Sequence, residues 1–383
     1  MNELKGDLPE GFKMTELGPL PEEWEVVRLG DVADFVMGQS PPGSTYNEVG
    51  EGLPFLQGKA EFGLLHPRHI KYTTKPIKIA SKNSVLLSVR APVGDVNIAN
   101  IDYCIGRGLA SVSLSEGNNL FLFYILSYLK SEIEKEGTGS TFKAITKIKL
   151  MNILIPLPPL PEQEKIAAIL SAVQEAKEKT EAVISAAKIL KKSMMSYLFT
   201  YGPVPVVDAE KVPLKETEVG MIPEEWEVEN FEGCILRKRI TIGNVKQQQY
   251  KQAGKYPIVD QGQKLIAGYW DDEIDVYKGE LPVIIFGDHT RIIKFIDFPF
   301  VTGADGTKIL LPNTKKVYPL FFYYALLTLK IPSRGYNRHY SLLKTFKIPL
   351  PPLPTQQKIA SMLSAIDEKI EAEENKKKAL EDL

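Results

Sequence analysis

The chain has 383 residues, which is enough for two or three domains that each bury a core. Its net charge is −1, so the overall composition does not predict nucleic-acid binding, and any basic surface has to be local. It contains no apolar leader, no apolar run of about 18 residues and only two cysteines, Cys104 and Cys234, so we expect a cytoplasmic protein that neither is secreted nor spans a membrane.

The sequence contains an internal duplication. A segment that begins at Thr15 is TELGPLPEEWEV, and a segment that begins at Thr217 is TEVGMIPEEWEV. Farther along, IPLPPLPEQEKIAAILSAV from Ile155 returns as IPLPPLPTQQKIASMLSAI from Ile348. A match of this length between two parts of one chain excludes chance, so the protein consists of two related halves.

Each half begins with the Pro-Glu-Glu-Trp segment and continues into a globular region. Short apolar runs rich in β-branched residues, such as SVLLSV from Ser84 and LPVIIF from Leu281, predict strands. The apolar segments 120–130 and 320–330 predict buried helices. We expect Trp24 and Trp226 to pack where the chain enters each domain, with base stacking as the alternative.

A Pro-rich LPPLP joint follows each globular region and predicts an extended approach to a helix start. After the first joint, five apolar heptads predict a long helix over 161–199 with a coiled-coil seam. The second helix begins alike but stops at Leu383, the counterpart of Leu190, and we favour truncation over a naturally short helix. The predicted seam residues are Ile166, Ile169, Val173, Val183 and Leu190 in the first helix, and Ile359, Met362 and Ile366 in the second.

Basic residues cluster in three stretches. The net charge is +6 over 59–90 and +6 again over 237–264, while 330–347 has five basic residues and no acidic one. Phosphate contacts need such cationic density, and arginine, lysine and glutamine also recognise base edges. The alternative is a solvated charged surface. We predict DNA contacts by Lys59, Arg68, His69, Lys71, Arg90, Arg237, Lys238, Arg239, Gln261, Lys264, His289, Arg291, Arg334, Arg338 and His339.

Motifs for catalysis or cofactor binding are missing from the sequence. His66 and His69 have no neighbouring cysteine or acidic cluster, so we predict no metal site, because a structural zinc site needs four ligands. The glycines at 137 and 139 follow a polar run rather than an apolar strand, which argues against a nucleotide-binding loop. We therefore expect a protein without catalytic residues and without cofactors.

The duplicated joints, the two helices and the stretch GDHTRIIKFIDFPFVTGADGTKIL from Gly287 resemble the specificity subunit of type I restriction-modification enzymes. The resemblance implies a mixed α/β fold in which two target-recognition domains with small twisted sheets are related by a pseudo-two-fold duplication. It also implies that the two long helices form an antiparallel coiled coil. The corresponding segments are 1–158 and 202–351 for the domains, and 159–201 and 352–383 for the helices.

For function, the resemblance implies a non-catalytic subunit whose two domains recognise the two halves of a double-stranded DNA target. The coiled coil would set the spacing and dock two methyltransferase subunits, and restriction or translocase subunits would join the larger complex. One alternative is a self-contained modification enzyme with fused recognition domains, for which two recognition domains leave no room. Another is a coiled-coil interaction protein without a DNA role.

Overall fold

A computed structural model describes residues 8–137, 144–238, 240, 243–303, 305–333, 335 and 337–382. The chain divides into two compact units: unit 1 ends at Ala176 and unit 2 begins at Lys177. This boundary lies inside a long helix. The division into two domains and two helices that we expect from the sequence stays a prediction.

Unit 1 combines short strands with helices. Its strands are β1 (Phe12–Thr15), β2 (Gly18–Pro21), β3 (Glu25–Arg28), β4 (Ala33–Met37), β5 (Tyr46–Asn47), β6 (Leu53–Leu56), β7 (Lys71–Thr73), β8 (Ile79–Ala80), β9 (Val85–Ser88), β10 (Val96–Ile98), β11 (Tyr103–Ile105), β12 (Leu109–Leu114) and β13 (Leu154–Leu157). Its helices are α1 (Leu29–Val32), α2 (Asn119–Tyr128), α3 (Lys130–Glu136), α4 (Lys147–Met151) and the beginning of α5 (Leu160–Tyr201).

Two sheets form the centre of unit 1. One has the order β10-β9-β12-β4, and the other has the order β5-β7-β6-β11-β8, in which β6 and β11 are parallel. The pairs β1-β2 and β3-β13 form separate two-stranded ribbons. Leu87, Val112, Leu122 and Leu126 share one buried cluster, so α2 covers the first sheet as the apolar pattern of 120–130 predicts.

Unit 2 repeats this plan. Its strands are β14 (Leu214–Thr217), β15 (Gly220–Pro223), β16 (Glu227–Asn230), β17 (Asn244–Val245), β18 (Tyr256–Val259), β19 (Gly268–Trp270), β20 (Val283–Gly287), β21 (Ile293–Ile296), β22 (Val301–Gly303), β23 (Thr307–Leu310) and β24 (Lys347–Leu350). Its helices are the rest of α5, α6 (Pro319–Thr328), α7 (Tyr340–Leu343) and α8 (Leu353–Glu381).

The duplication is visible in the strand topology. The order β21-β20-β23 corresponds to β10-β9-β12, and the parallel pair β18-β22 corresponds to β6-β11. The ribbons β14-β15 and β16-β24 correspond to β1-β2 and β3-β13. The mixed α/β fold with two related domains is therefore confirmed, although the central sheets contain fewer strands in unit 2 within the described residues.

A buried glutamine fixes each Pro-rich joint to its domain. The side chain of Gln163 accepts a hydrogen bond from the N–H of Asn118 at 3.0 Å and donates one to the carbonyl of Pro158 at 2.9 Å. In unit 2, Gln356 accepts from the N–H of Tyr318 at 2.7 Å and donates to the carbonyls of Lys316 and Pro351. The repeated LPPLPxQ motif thus satisfies backbone groups at the helix start and sets the direction of the following helix.

In unit 2, the C-terminal part of α5 runs antiparallel to α8. Glu181, Lys188 and Lys191 of α5 form ion pairs with Lys377, Glu374 and Asp367 of α8, at 3.2, 2.6 and 2.5 Å. Rising residue numbers on α5 meet falling numbers on α8, which confirms the antiparallel arrangement for this part of the pair. Leu198 and Phe199 pack in the same core as Ile359, Ala360 and Leu363.

The face that α5 buries differs from the predicted seam on one of the two seam lines. Thr180, which lies on the predicted line of Ile166 and Val173, is buried. On the other predicted line, Val183 and Leu190 are 41% and 52% exposed and Ile169 in unit 1 is 65% exposed, whereas Ile184 beside this line is buried. The apolar pattern predicted that the second seam line lies three residues after the line of Ile166 and Val173. In the structure, the buried second line, which contains Ile184, lies four residues after it.

Lys191 explains why the buried line was missed. It lies on that line although it is charged, because its ammonium pairs with Asp367 and lies over the ring of Tyr324, 5.4 Å from the centroid. On α8, Ile359 is fully buried, and Met362 packs against the same core. Ile166, Val173 and Ile366 are half-buried.

Among the helices of the described part of the chain, none is both long and apolar enough to cross a membrane.

Candidate nucleic-acid interface

Each unit gathers loops at one end of its central sheets. In unit 1, the loops 57–59, 89–95 and 106–108 follow β6, β9 and β11 at the same end, and we call them loop edge 1. In unit 2, the residues 260–264, 287–292, 305–308 and 337–339 form the corresponding loop edge 2. Loops at one end of a rigid sheet are a frequent place for binding residues.

Gln261 holds loop edge 2 together. Its amide nitrogen donates to the carbonyl of Asp305 at 2.7 Å, and its amide oxygen accepts from the N–H of His289 at 3.1 Å. Its backbone carbonyl accepts from the hydroxyl of Thr290 at 2.6 Å. Three loops from separate strands are therefore tied through one side chain. Gln261 is one of the predicted DNA contacts, and its side-chain amide is engaged by protein groups.

A buried lysine lies beneath the same loops. Lys294 of β21 donates to the carbonyls of Asp260 and Lys264, and its ammonium is 3.8 Å from the carboxylate of Asp260. Burial lowers the pKa of Lys294, while the carboxylate of Asp260 opposes this change. The hydroxyl of Tyr250 donates to Asp260 at 3.3 Å, and burial together with that carboxylate raises the pKa of Tyr250. Lys294 thus links the two ends of the loop that carries Gln261.

Loop edge 1 is more open. Gln57 and Ser40 exchange side-chain contacts of 3.2 to 3.4 Å, and the N–H of Arg107 donates to the hydroxyl of Ser40 at 3.4 Å. The ammonium groups of Lys59 and Lys130 both lie 2.6 Å from the carboxylate of Asp95. These two cations hold the pKa of Asp95 below its ordinary value despite the opposing effect of burial. Basic groups therefore exceed acidic ones at this edge.

Several predicted DNA-contact residues lie on these edges or beside them. Arg68 is adjacent to loop edge 1, since its N–H donates to Glu61, whose side chain in turn accepts from the N–H of Gly58. Lys71 pairs with Phe55 at the end of β6 that faces the edge. Those that are exposed on or beside an edge are Lys59, Arg68, Lys71 and Arg90 in unit 1, and Lys264 and Arg338 in unit 2.

Arg237 and Lys238 lie elsewhere. The N–H of Leu236 donates to Leu311, beyond the end of β23 that is distant from loop edge 2. Arg237 pairs with Glu232 at 3.1 Å, and Lys238 faces Glu280 at 3.9 Å. The structure thus separates these two cations from the other predicted contacts. Arg239 and Arg334 fall outside the described residues.

Three predicted contacts have structural roles. His339 is fully buried and its Nδ1 is 2.9 Å from the carbonyl of Asp288, so it holds loop edge 2 from inside, and its contact with DNA stays a prediction. Arg291 has a positive φ of 63°, and its guanidinium donates to the carbonyl of Ile331, so it fixes a loop. His69 is half-buried between the rings of Tyr72 and Tyr103. His289 is half-buried on loop edge 2.

The sequence reasoning missed four polar residues of the edges: Gln57, Arg107, Asp305 and Lys308. Charge density does not select them, because Arg107 is isolated and Asp305 is acidic. The internal duplication contained the signal, since the segments LPFLQGK and YPIVDQGQK place a glutamine and a glycine after equivalent strands. Aligning the turns after β11 and β22 would have added the other residues.

The described residues contain no group of three or more His, Cys, Asp or Glu side chains arranged to hold a metal ion. Both cysteines are buried, and burial raises their pKa values, that of Cys234 to about 12. Neither thiol is therefore a nucleophile at neutral pH.

Comparisons with known proteins agree with the duplicated fold. A family model for the type I restriction modification DNA specificity domain matches residues 21–186 and 223–382. The MjaX protein of Methanocaldococcus jannaschii, provisionally named a type I restriction enzyme specificity subunit, is 52% identical over 198 residues, which are 50% of this chain and 46% of that protein. The MjaVIII type I restriction enzyme specificity subunit of the same organism is 27% identical over 97% of this chain and 92% of its own length.

A solved structure has the same overall fold. The crystal structure of the S subunit of a type I restriction-modification system from M. genitalium superimposes with a TM-score of 0.70, covering 93% of this chain and 92% of that chain. Its sequence identity is 19%, so this likeness concerns the fold alone.

Proposed function

Because the chain belongs to the type I restriction-modification DNA specificity family, whose model matches both of its halves, we propose that each unit recognises one half of a split double-stranded DNA target. Members of this family are recognition components, so the chain itself is not a catalytic enzyme. Methylation and cleavage would belong to other subunits of the complex.

The observation that carries the proposal is the contrast within the duplication. Two domains with the same strand topology end in loop edges that carry different polar side chains. A shared framework with different loops suits two related recognition modules that bind different half-sites. Exposed cations on both edges suit the phosphate backbone, which supplies most of the non-specific affinity.

DNA binding can be tested by its salt dependence. We expect the complex of the full chain with methyltransferase subunits to bind duplex DNA with an affinity that falls linearly on a log–log scale with salt. Replacing Lys264 and Arg338 by alanine should weaken binding and reduce the salt slope by about 1 for each phosphate that is no longer neutralised.

Arg237→Ala is the matched control, because this exposed arginine lies away from loop edge 2. It should leave both the affinity and the salt slope unchanged. Binding that is absent, or that does not respond to salt, would instead favour a coiled-coil interaction protein without a DNA role.

The long helix is proposed to set the spacing of the half-sites. A seven-residue insertion between Ala176 and Lys177 lies before the first ion pair with α8 and lengthens α5 by about 10.5 Å, or roughly three base pairs. We expect the spacer of the recognised site to grow by that amount. A variant with residues 170–176 replaced by the inserted sequence, without added length, is the control. An unchanged spacer would contradict the ruler role.

We propose that two methyltransferase subunits dock on the helices, with the exposed apolar face of α5 as a contact surface. Restriction subunits would then join the larger complex, which we place in the cytoplasm. Val183 and Leu190 lie seven residues apart on one face of this helix in unit 2, and they are 41% and 52% exposed. Val183→Asp should leave unit 2 folded and abolish co-purification with methyltransferase subunits. Glu181→Asp, on the same turn, is the control. Normal co-purification of Val183→Asp would move the docking surface elsewhere.

A further inference from the structure

The turns after β11 and β22 occupy equivalent positions in the two units. In unit 1, the carbonyl of Gly108 accepts a hydrogen bond from the N–H of Val89 at 2.9 Å. In unit 2, the carbonyl of Gly306 accepts from the N–H of Asp288 at 2.8 Å. Both donors follow directly after the equivalent strands β9 and β20. The residue before each glycine, Arg107 or Asp305, therefore has the same place on its loop edge.

Close packing fixes the backbone of both turns. A Cβ atom on Gly108 would lie 2.7 Å from the carbonyl oxygen of Gln57, and Gly306 has a φ of +91° that side chains rarely tolerate. Gln57 and Gln261 lie after equivalent strands, and the amide of Gln261 donates to the carbonyl of Asp305. Because the backbone of both turns is already held, binding a base there costs little backbone entropy.

The side chains presented at these positions have opposite charge. Arg107 is exposed, and no carboxylate of the described residues lies within ion-pair distance of its guanidinium. Asp305 is the exposed carboxylate of loop edge 2, since the other two acids of this edge, Asp260 and Asp288, are buried. The carboxylate of Asp305 forms no ion pair with any residue that the structure describes.

An exposed acid on a basic edge is unfavourable opposite phosphates, because the two anions repel each other. It is favourable opposite the amino group of a base, which in the major groove means N4 of cytosine or N6 of adenine. An arginine at the same place donates two hydrogen bonds to O6 and N7 of guanine. The two units thus carry complementary chemistries at one shared position.

We propose that Arg107 and Asp305 are equivalent base-contacting residues, and that Arg107 selects guanine while Asp305 selects a base with an exocyclic amino group. This rests on the proposed function, because it requires that both loop edges meet DNA. Neither residue belongs to the basic stretches, so they would determine specificity rather than affinity.

The test is selection from a randomised duplex library by the full chain in complex with methyltransferase subunits. The wild-type complex defines a bipartite sequence. Arg107→Ala and Asp305→Ala should each reduce the preference at one base position roughly tenfold, in different half-sites, and leave the other positions intact. The base whose preference disappears with Asp305→Ala distinguishes cytosine from adenine. Lys82→Ala and Asp297→Ala, at exposed residues away from the two edges, are the controls.

The outcomes separate this inference from the proposed function. If the wild-type complex selects no sequence, the proposed function fails and the inference fails with it. If it selects a bipartite sequence that both variants keep unchanged, the inference alone is wrong. A uniform loss of affinity with a shallower salt slope would identify Arg107 as a phosphate contact and would also overturn it. Unchanged thermal unfolding confirms that the variants are folded.

Discussion

The ribbons, joints and helix starts of the two units are nearly alike, whereas their loop edges differ in both charge and support. Gln163 and Gln356 perform the same task at the two joints, with similar bonds to backbone groups. At the edges, the register of the sheets places Asn97 of β10 where unit 2 has Lys294 in β21. A neutral amide and a buried ammonium thus support equivalent loops. The two units therefore share the residues that build the domain framework and differ in the residues of their loop edges.

Removing the buried ammonium should separate the two units most clearly, because unit 1 has no equivalent cation. Lys294→Met leaves the carboxylate of Asp260 and two backbone carbonyls without their cation, so we expect unit 2 to lose about 3 kcal/mol of stability. Amide hydrogen exchange of β20 and β21 should accelerate, while that of β9 and β10 in unit 1 stays unchanged. A similar acceleration in both units would show that they do not unfold independently.

The pH dependence of the same variant supplies a control. Because burial lowers the pKa of Lys294, the unfolded chain binds more protons than the folded chain between that pKa and the ordinary lysine value. The stability of the wild type should therefore rise with pH across this window relative to Lys294→Met. If the stability difference between the wild type and Lys294→Met became smaller as the pH rises, the ammonium would not be destabilised by burial.

The two entry tryptophans should differ in importance. Trp226 is 1% exposed and belongs to the main core of unit 2, so Trp226→Ala should cost about 3–5 kcal/mol. Trp24 is half-buried and donates to Glu162 at 3.0 Å, so Trp24→Ala should cost about 1–2 kcal/mol. Chemical denaturation, monitored by amide hydrogen exchange in each unit, measures the stability loss of both variants. Equal losses would mean that the entry segments pack alike despite their different burial.

The stability that is lost on removing each joint glutamine should follow the number of hydrogen bonds that its side chain makes. Gln356→Ala removes three hydrogen bonds to backbone groups and should cost about 2–3 kcal/mol. Gln163→Ala removes two and should cost about 1–2 kcal/mol. The same denaturation experiment compares them, with replacement by methionine as the control for side-chain volume. A larger loss for Gln163→Ala would contradict this ordering.

Sequence reasoning reached the framework because repetition and proline patterns are local. It placed the joints, α2, α6 and the beginning of α5 correctly, but chose Val183 and Leu190 for the second seam line, where the structure buries Ile184 and Leu198. A lysine such as Lys191 is discounted by any apolar pattern until its partner Asp367 is known. The edges were harder, since Arg107 and Asp305 gain meaning only when separate strands end together, and His339 looked exposed only because arginine and asparagine surround it.

The smallest expected effect is at Asn97, and it tests whether the amide of unit 1 is merely a neutral substitute for the lysine of unit 2. Its Nδ2 donates to the carbonyl of Gly63 at 3.0 Å, but its Oδ1 has no hydrogen-bond partner among the described residues. Asn97→Val would lose one bond and also remove one buried unpaired acceptor, so the two costs nearly cancel and the stability of unit 1 should change by less than about 1 kcal/mol. Asn97→Asp, which buries an uncompensated charge, should cost several times more. A large loss for the valine variant would mean that the amide supports loop edge 1 as the ammonium of Lys294 supports loop edge 2.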